Sequence, residues 1–288
     1  MRKQGNGPGA GRLIGIFLAV AAVFAVLYFG AEWVSGFFSV EEEPDTEETR
    51  EEWVPDELIP GLARNEYDRE AFAEEDGFVV YNGKEKASRG IDVSAHQDNI
   101  DWAAVAADGV EYAMLRVGYR GYTEGDTFLD ETFYNNVTGA RENGIAVGVY
   151  FFSQAISVEE AKEEADIVLR AIEGLDITYP VVFDWEDVHQ PEARTNQVDQ
   201  QTLTDCAKAF CETVEAAGYT AGIYFNQIFG YQRFILPELD EYVFWLAEYD
   251  SAPDFLYDFQ MWQYTNNGQV NGIEGGVDLN LSFWHPES

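Results

Sequence analysis

From Arg89 onward, short apolar runs alternate with amphipathic stretches, and this alternation constrains the fold more than any other property of the chain. Strand-like runs fall at residues 91–94, 112–117, 145–152, 179–183 and 221–225. Helical periodicity fills 129–142, 158–172 and 203–217, the last two closed by Gly174 and Gly218 as C-terminal stops. A strand followed by a helix of about 10–15 residues, repeated, predicts βαβ units and a parallel sheet. After residue 225 the helical spacers shrink, and runs at 242–247, 259–264 and 277–281 follow with short loops. Eight strands with a helix-poor second half predict an α/β fold of modified TIM-like barrel type. An open doubly wound sheet is the alternative, but no glycine-rich phosphate fingerprint follows the first strand.

The first 76 residues are of a different character. Residues 13–31 are uncharged and predominantly apolar, and as a helix they would span roughly 28 Å, the thickness of a hydrocarbon core. Arg2, Lys3 and Arg12 precede this run and Glu32 follows it, which predicts a cytoplasmic N-terminus (1–12), a retained single-pass membrane anchor (13–31) and an extracellular remainder. A cleaved signal peptide is the rival; its apolar core would be unusually long, and no clear A-x-A site precedes the acidic segment. Residues 41–76 carry 16 acidic and three basic residues. The stretch 32–76 is therefore expected to be an extended, self-repelling stalk, with the barrel domain at 77–288.

With 53 acidic against 17 basic residues the net charge is −36, and such a field repels nucleic-acid phosphates. Cys206 and Cys211 lie about 140° apart around one predicted helix, which does not suit a mutual disulfide. Together with His96, His189 and His285 they form no cluster at zinc spacing, so neither metal nor cofactor is expected. Oligomeric state has no signature in the sequence.

The chemistry concentrates at Asp184-Trp185-Glu186, which ends the apolar run Tyr179-Pro180-Val181-Val182-Phe183. In a strand, residues two apart share a face with backbones about 6.6 Å apart, so both carboxylates project together. In a barrel the site lies at the carboxyl ends of the strands, which adds Asp92 from the first strand and Asp278 from the last. A protonated acid beside an ionised carboxylate is the equipment of glycoside hydrolysis. Glu186 is expected to hold the proton, raised by its neighbours and by partial desolvation, with Asp184 ionised. Tyr119, Tyr150, Trp185, Tyr224, Trp245, Tyr249, Trp262 and Tyr264 are candidates to stack on sugar rings, although at least half of such aromatics are expected to be packing. Gln97 and Gln263 are candidate donors to sugar hydroxyls or an acetamido group.

These motifs together resemble the glycoside hydrolase family 25 muramidases. The resemblance rests on Gly90-Ile91-Asp92-Val93-Ser94 with Gln97 and Ile100-Asp101-Trp102, and on Gly148-Val149-Tyr150-Phe151-Phe152 and Phe183-Asp184-Trp185-Glu186. It continues through Trp245-Leu246-Ala247, Trp262-Gln263-Tyr264 and Val277-Asp278-Leu279-Asn280, all in order. It implies a (β/α)5(β)3 barrel that hydrolyses the β-1,4 bond between N-acetylmuramic acid and N-acetylglucosamine in peptidoglycan. Glu186 would be the general acid/base and Asp184 its partner at the 2-acetamido group, with Asp92 and Asp278 as supporting carboxylates. Phe151 and Trp185 depart from residues often found in relatives. A noncatalytic glycan-binding module on the same barrel is one alternative. A glycosidase for another N-acetylated glycan, such as chitin, is the other, although the D-x-x-D-x-D-x-E run expected of it is absent.

Overall fold

The computed structural model describes residues 58–286. The expected anchor at 13–31 and most of the expected stalk lie outside them; among the described residues no helix is long and apolar enough to cross a membrane. The described chain opens with a hairpin, β1 (Phe72–Glu75) and β2 (Phe78–Tyr81), paired antiparallel. Then come β3 (Ser88–Val93), α1 (Trp102–Ala107), β4 (Tyr112–Arg120), β5 (Thr127–Leu129), α2 (Phe133–Glu142), β6 (Ala146–Ser153) and α3 (Val158–Ile172). They are followed by β7 (Val181–Trp185), α4 (Gln200–Ala216), β8 (Ala221–Asn226), α5 (Gln227–Gln232), β9 (Val243–Ala247), β10 (Met261–Gly268) and β11 (Val277–Ser282).

Eight of these strands close into a ring. Pairing is parallel from β3 through β4, β6, β7, β8 and β9 to β10. The last strand, β11, runs antiparallel to both β10 and β3 and closes the barrel. The predicted barrel is therefore present, and around its second strand the chain differs from the expectation in two ways, a side strand and a later helix start. Residues 127–129 pair with β4 as the side strand β5, so the helix expected from 129 begins at Phe133. The helix α3 matches its predicted span, fixed by Ser157, whose side chain accepts the Glu160 N–H as an N-cap.

The third difference concerns the stalk. Residues 58–76 do not extend freely but pack on the outside of β10 and β11, where the (β/α)5(β)3 pattern provides no helix. Tyr67 stacks on Phe283 at 3.9 Å between ring centroids, and Phe72 meets Trp262 edge-on at 5.3 Å. The Tyr67 hydroxyl donates to Phe259 O at 2.8 Å, and Arg69 Nη1 to Pro253 O at 3.1 Å. Averaged over a window, this stretch reads as acidic; the few apolar side chains within it, Leu62, Tyr67 and Phe72, do the covering. The expected extended stretch therefore does not include residues 58–76.

Inside the barrel, alternation along each strand sorts the side chains. On β7, Val182 and Asp184 face inward, while Val181, Phe183 and Trp185 join the outer layer beneath the helices. The barrel floor contains Tyr112 stacked on Tyr179, with centroids 4.3 Å apart and planes 6° from parallel. Gly90 on β3 makes room for this stack, because a Cβ there would collide with the Tyr112 ring. The Tyr112 hydroxyl is buried with no hydrogen-bond partner among the described residues. Desolvating a hydroxyl without compensation is costly, so Tyr112→Phe is expected to stabilise the fold by about 1 kcal/mol. The measurement is the urea midpoint at unchanged m-value; a lower midpoint would mean that the hydroxyl is satisfied after all.

Candidate active site

The four predicted acids meet on one rim. Asp92, near the end of β3, is the direct Cα partner of Asp278 on β11. Asp278 lies at the start of its strand, not at the carboxyl end from which it was predicted. It reaches the same rim because β11 runs backwards, so the placement holds and the reason changes. Across the mouth, Asp184 is the inward-facing residue before the end of β7 and Glu186 follows the strand directly.

Asp92 is held by amides. Its Oδ2 accepts from Gln263 Nε2 at 2.9 Å and Asn280 Nδ2 at 2.7 Å. Gln263 Oε1 in turn accepts from the hydroxyls of Tyr224 (3.0 Å) and Tyr249 (2.9 Å), while Asn280 Oδ1 accepts from Trp245 Nε1 at 2.8 Å. Burial pushes the Asp92 carboxyl above its ordinary range, and the hydrogen bonds from Gln263, Asn280 and Asp278 only partly offset it. Asn280 escaped the sequence reading as a site residue, although it stands two positions from Asp278 on the same strand face.

Asp184 is more strongly perturbed. Burial is the largest cause, followed by repulsion from Glu186 and Asp92, and together they lift its carboxyl well above the usual range. Arg116 opposes this shift. Asp184 is also hydrogen-bonded to Glu186 in the sense that favours a protonated Asp184. Its Oδ1 is buried and has no partner among the described residues. Burial and the neighbouring carboxylates thus favour the protonated form of Asp184, the more deeply buried of the two acids. The desolvation foreseen for Glu186 falls most heavily on its neighbour.

A cation sits beside the acids. Arg116 on β4 faces the mouth, with Nε and Nη2 each 2.9 Å from Asp130 Oδ2 and its Cζ 5.5 Å from the Tyr119 ring centroid. Burial alone would raise Asp130, but the Thr132 hydroxyl, the Ala95 N–H and Arg116 outweigh it and keep its carboxyl below the usual range. Asp130 was not among the sequence candidates.

The aromatics divide by face. Tyr150 and Tyr224 lie inside the barrel against Trp245, at 6.0 and 5.0 Å between centroids, and Tyr249 stands 38% exposed at the rim. Tyr119 is half-buried beside Arg116. Trp245 is 1% exposed, so it is part of the floor and no stacking platform. Three further candidates are displaced by strand alternation. Trp185, Trp262 and Tyr264 face outward and are buried in the outer layer, where Trp185 Nε1 donates to Ala155 O and Trp262 Nε1 to Glu248 O. They are unavailable to a sugar. Gln97 is drawn into a capping box around the 3-10 turn Ala95–Gln97, its Oε1 accepting the Ser94 N–H at 2.9 Å. Gln263, 4% exposed and engaged with Asp92 and two tyrosines, orients an acid instead of donating to a ligand.

A closed eight-stranded barrel with two pairs of carboxyls facing one another across its rim defines the class of barrel glycosidases. The chain belongs to the glycosyl hydrolases family 25, whose model matches residues 91–273, and is a glycoside hydrolase of this lysozyme family. It is 31% identical over 196 residues to the uncharacterized protein YegX of Escherichia coli strain K12, covering 67% of this chain and 68% of that one. It is 27% identical over 192 residues to the autolytic lysozyme of Clostridium acetobutylicum, covering 66% of this chain and 54% of that one. Among solved structures, the modular autolysin LytC from Streptococcus pneumoniae superposes with a TM-score of 0.62 at 26% identity, over 73% of this chain and 52% of that chain. The chain thus spans about half the length of both the Clostridium lysozyme and the autolysin.

Proposed function

We propose that this chain is a membrane-anchored, extracellular muramidase that cuts the β-1,4 bond between N-acetylmuramic acid and N-acetylglucosamine, with Glu186 as general acid/base. The observation that carries the reading is the coupled Asp184–Glu186 pair facing Asp92 and Asp278 across the barrel mouth. Two carboxyls in hydrogen-bond contact are much closer than the about 5 Å or more needed to flank a sugar from opposite faces. Direct attack by one with acid catalysis by the other is thereby disfavoured. The sugar's own 2-acetamido oxygen is the better-placed nucleophile.

The steps follow from the shared proton. Substrate entry displaces solvent, and the proton passes from Asp184 to Glu186, which delivers it to the glycosidic oxygen as that bond to C1 breaks. Asp184, now ionised, accepts the acetamido N–H and steadies the positive charge that develops as the acetamido oxygen bonds to C1. Water then attacks C1, the acetamido oxygen departs, and Glu186 takes the water's proton. Asp92, held by Gln263 and Asn280, adds negative potential beneath the sugar. Tyr150, Tyr224 and Tyr249 offer the aromatic lining, and Tyr119 the edge beside Arg116.

The apolar run at 13–31 and the acidic stretch after it support anchoring with the barrel outside the cell. The deciding experiment is digestion of purified peptidoglycan with the full-length chain and mass analysis of the soluble products. Fragments with N-acetylmuramic acid at the new reducing end are expected. Reducing-end N-acetylglucosamine, or turnover of chitin oligomers alone, would refute the proposed bond.

A further inference from the structure

We infer that Gln154, a residue outside the carboxyl ring, is a positioning residue for Glu186; this rests on the reading of Glu186 as the general acid/base. Gln154 is wholly buried in the loop between β6 and α3. Its Nε2 donates to two carbonyls at once, Ser153 O and Glu186 O, both at 2.8 Å. Its Oε1 accepts from Thr195 Oγ1 at 3.2 Å, and Thr195 is itself 1% exposed in the 3-10 turn Arg194–Gln197. One amide therefore ties the end of β6, the backbone of the acid and the loop that leaves β7.

The neighbouring residue grips the same tripeptide: Ala155 O accepts from Trp185 Nε1 at 3.0 Å. Further bonds hold the loop itself in place. Ser153 Oγ donates to Glu164 Oε2 at 2.6 Å and accepts from the Ala155 N–H at 3.1 Å. Arg194 donates to Gln154 O at 3.3 Å and pairs with both oxygens of Glu160 at 2.6 and 2.9 Å. Glu186 has left the β7 ladder, so its φ and ψ are not fixed by strand pairing. The Gln154 bond to its carbonyl replaces that restraint and sets the direction of its side chain. A primary amide suits the task because it supplies two donor hydrogens and an acceptor in one plane.

The test uses the full-length chain and soluble peptidoglycan oligosaccharides. Gln154→Leu removes both donors and is expected to lower kcat about 10- to 100-fold, the scale of a small misplacement, with KM changed by less than about twofold. Gln154→Glu separates positioning from packing. Protonated, the carboxyl still donates to Glu186 O and accepts from Thr195; ionised, it still accepts from Thr195 but has no proton to donate and repels both carbonyls. Its kcat is therefore expected to approach the parent value at acidic pH and to fall as pH rises through the carboxyl's own titration, a limb the parent lacks. Thr195→Val should give a smaller loss of kcat in the same direction, and it carries the test if Gln154→Leu fails to fold.

Parent kcat and pH profile in folded Gln154→Leu would overturn the inference. So would a Gln154→Glu profile without the added limb, or an unchanged kcat in Thr195→Val. These results are separable from a failure of the functional reading, which would show as full activity in Glu186→Gln.

Discussion

Glu186→Gln is expected to lower kcat on peptidoglycan by about 10²- to 10⁴-fold, the contribution typical of a positioned general acid, while the protein stays folded. The amide keeps the shape of the carboxyl but has no proton to give to the leaving oxygen. Removing the charge also relieves the repulsion that helps to raise Asp184, so the thermal midpoint is expected to stay equal or rise. Reducing-end release and a thermal melt on the same preparation check both halves. Activity within a few-fold of the parent would exclude Glu186 as the acid, and a collapsed melt would turn the activity loss into a folding defect.

The second large effect is on stability. Arg120 and Glu164 form a buried ion pair at 2.6 Å, with side chains 4% and 0% exposed. Arg120 also donates to Glu163 at 2.8 Å and to Gly125 O at 2.7 Å, while Ser153 donates to the other oxygen of Glu164. Removing one partner strands the other, so Arg120→Leu is expected to cost about 3–5 kcal/mol in urea unfolding. Burial pushes the Glu164 carboxyl up to about 7 even with Ser153 and Arg120 pulling it down. A carboxyl raised on folding binds its proton more tightly in the native state, so its contribution to stability is greatest below its unfolded value near 4.5 and is lost as pH rises through about 7. Without Arg120, which pulls the carboxyl down, that decline should continue to higher pH. A variant whose stability matches the parent at pH 8 would show that the pair contributes nothing net.

Much of the site was legible because strand alternation is simple. A buried strand ending in Asp184-Trp185-Glu186 has to send the two acids to one side. The same rule places Trp185 on the other face, and it puts Gln263 inside with Trp262 and Tyr264 outside. Grouping those aromatics with the cleft followed their position in the motif and overlooked the pleat. The reversed direction of β11 could not be read, since an apolar run carries no sign of its polarity in a sheet. Asp278 nevertheless reached the predicted rim, because it begins a strand that descends from it. Gln154, Arg120 and Glu164 had no local signature: the Gln154–Glu186 and Arg120–Glu164 bonds span 32 and 44 positions, and only the closed barrel brings these residues together. The deeper burial of Asp184 was hidden for a related reason. Two positions apart in sequence, Asp184 and Glu186 look alike, and only depth separates them.

The arm formed by residues 58–81 supplies wall to β10 and β11, strands that have no helices of their own. The catalytic unit therefore begins well before its first barrel strand, and a fragment starting at residue 77 would strip Phe72 from the ring of Trp262 and Tyr67 from that of Phe283. A shortened chain that keeps this wall intact therefore has to retain the residues from Leu58 onward.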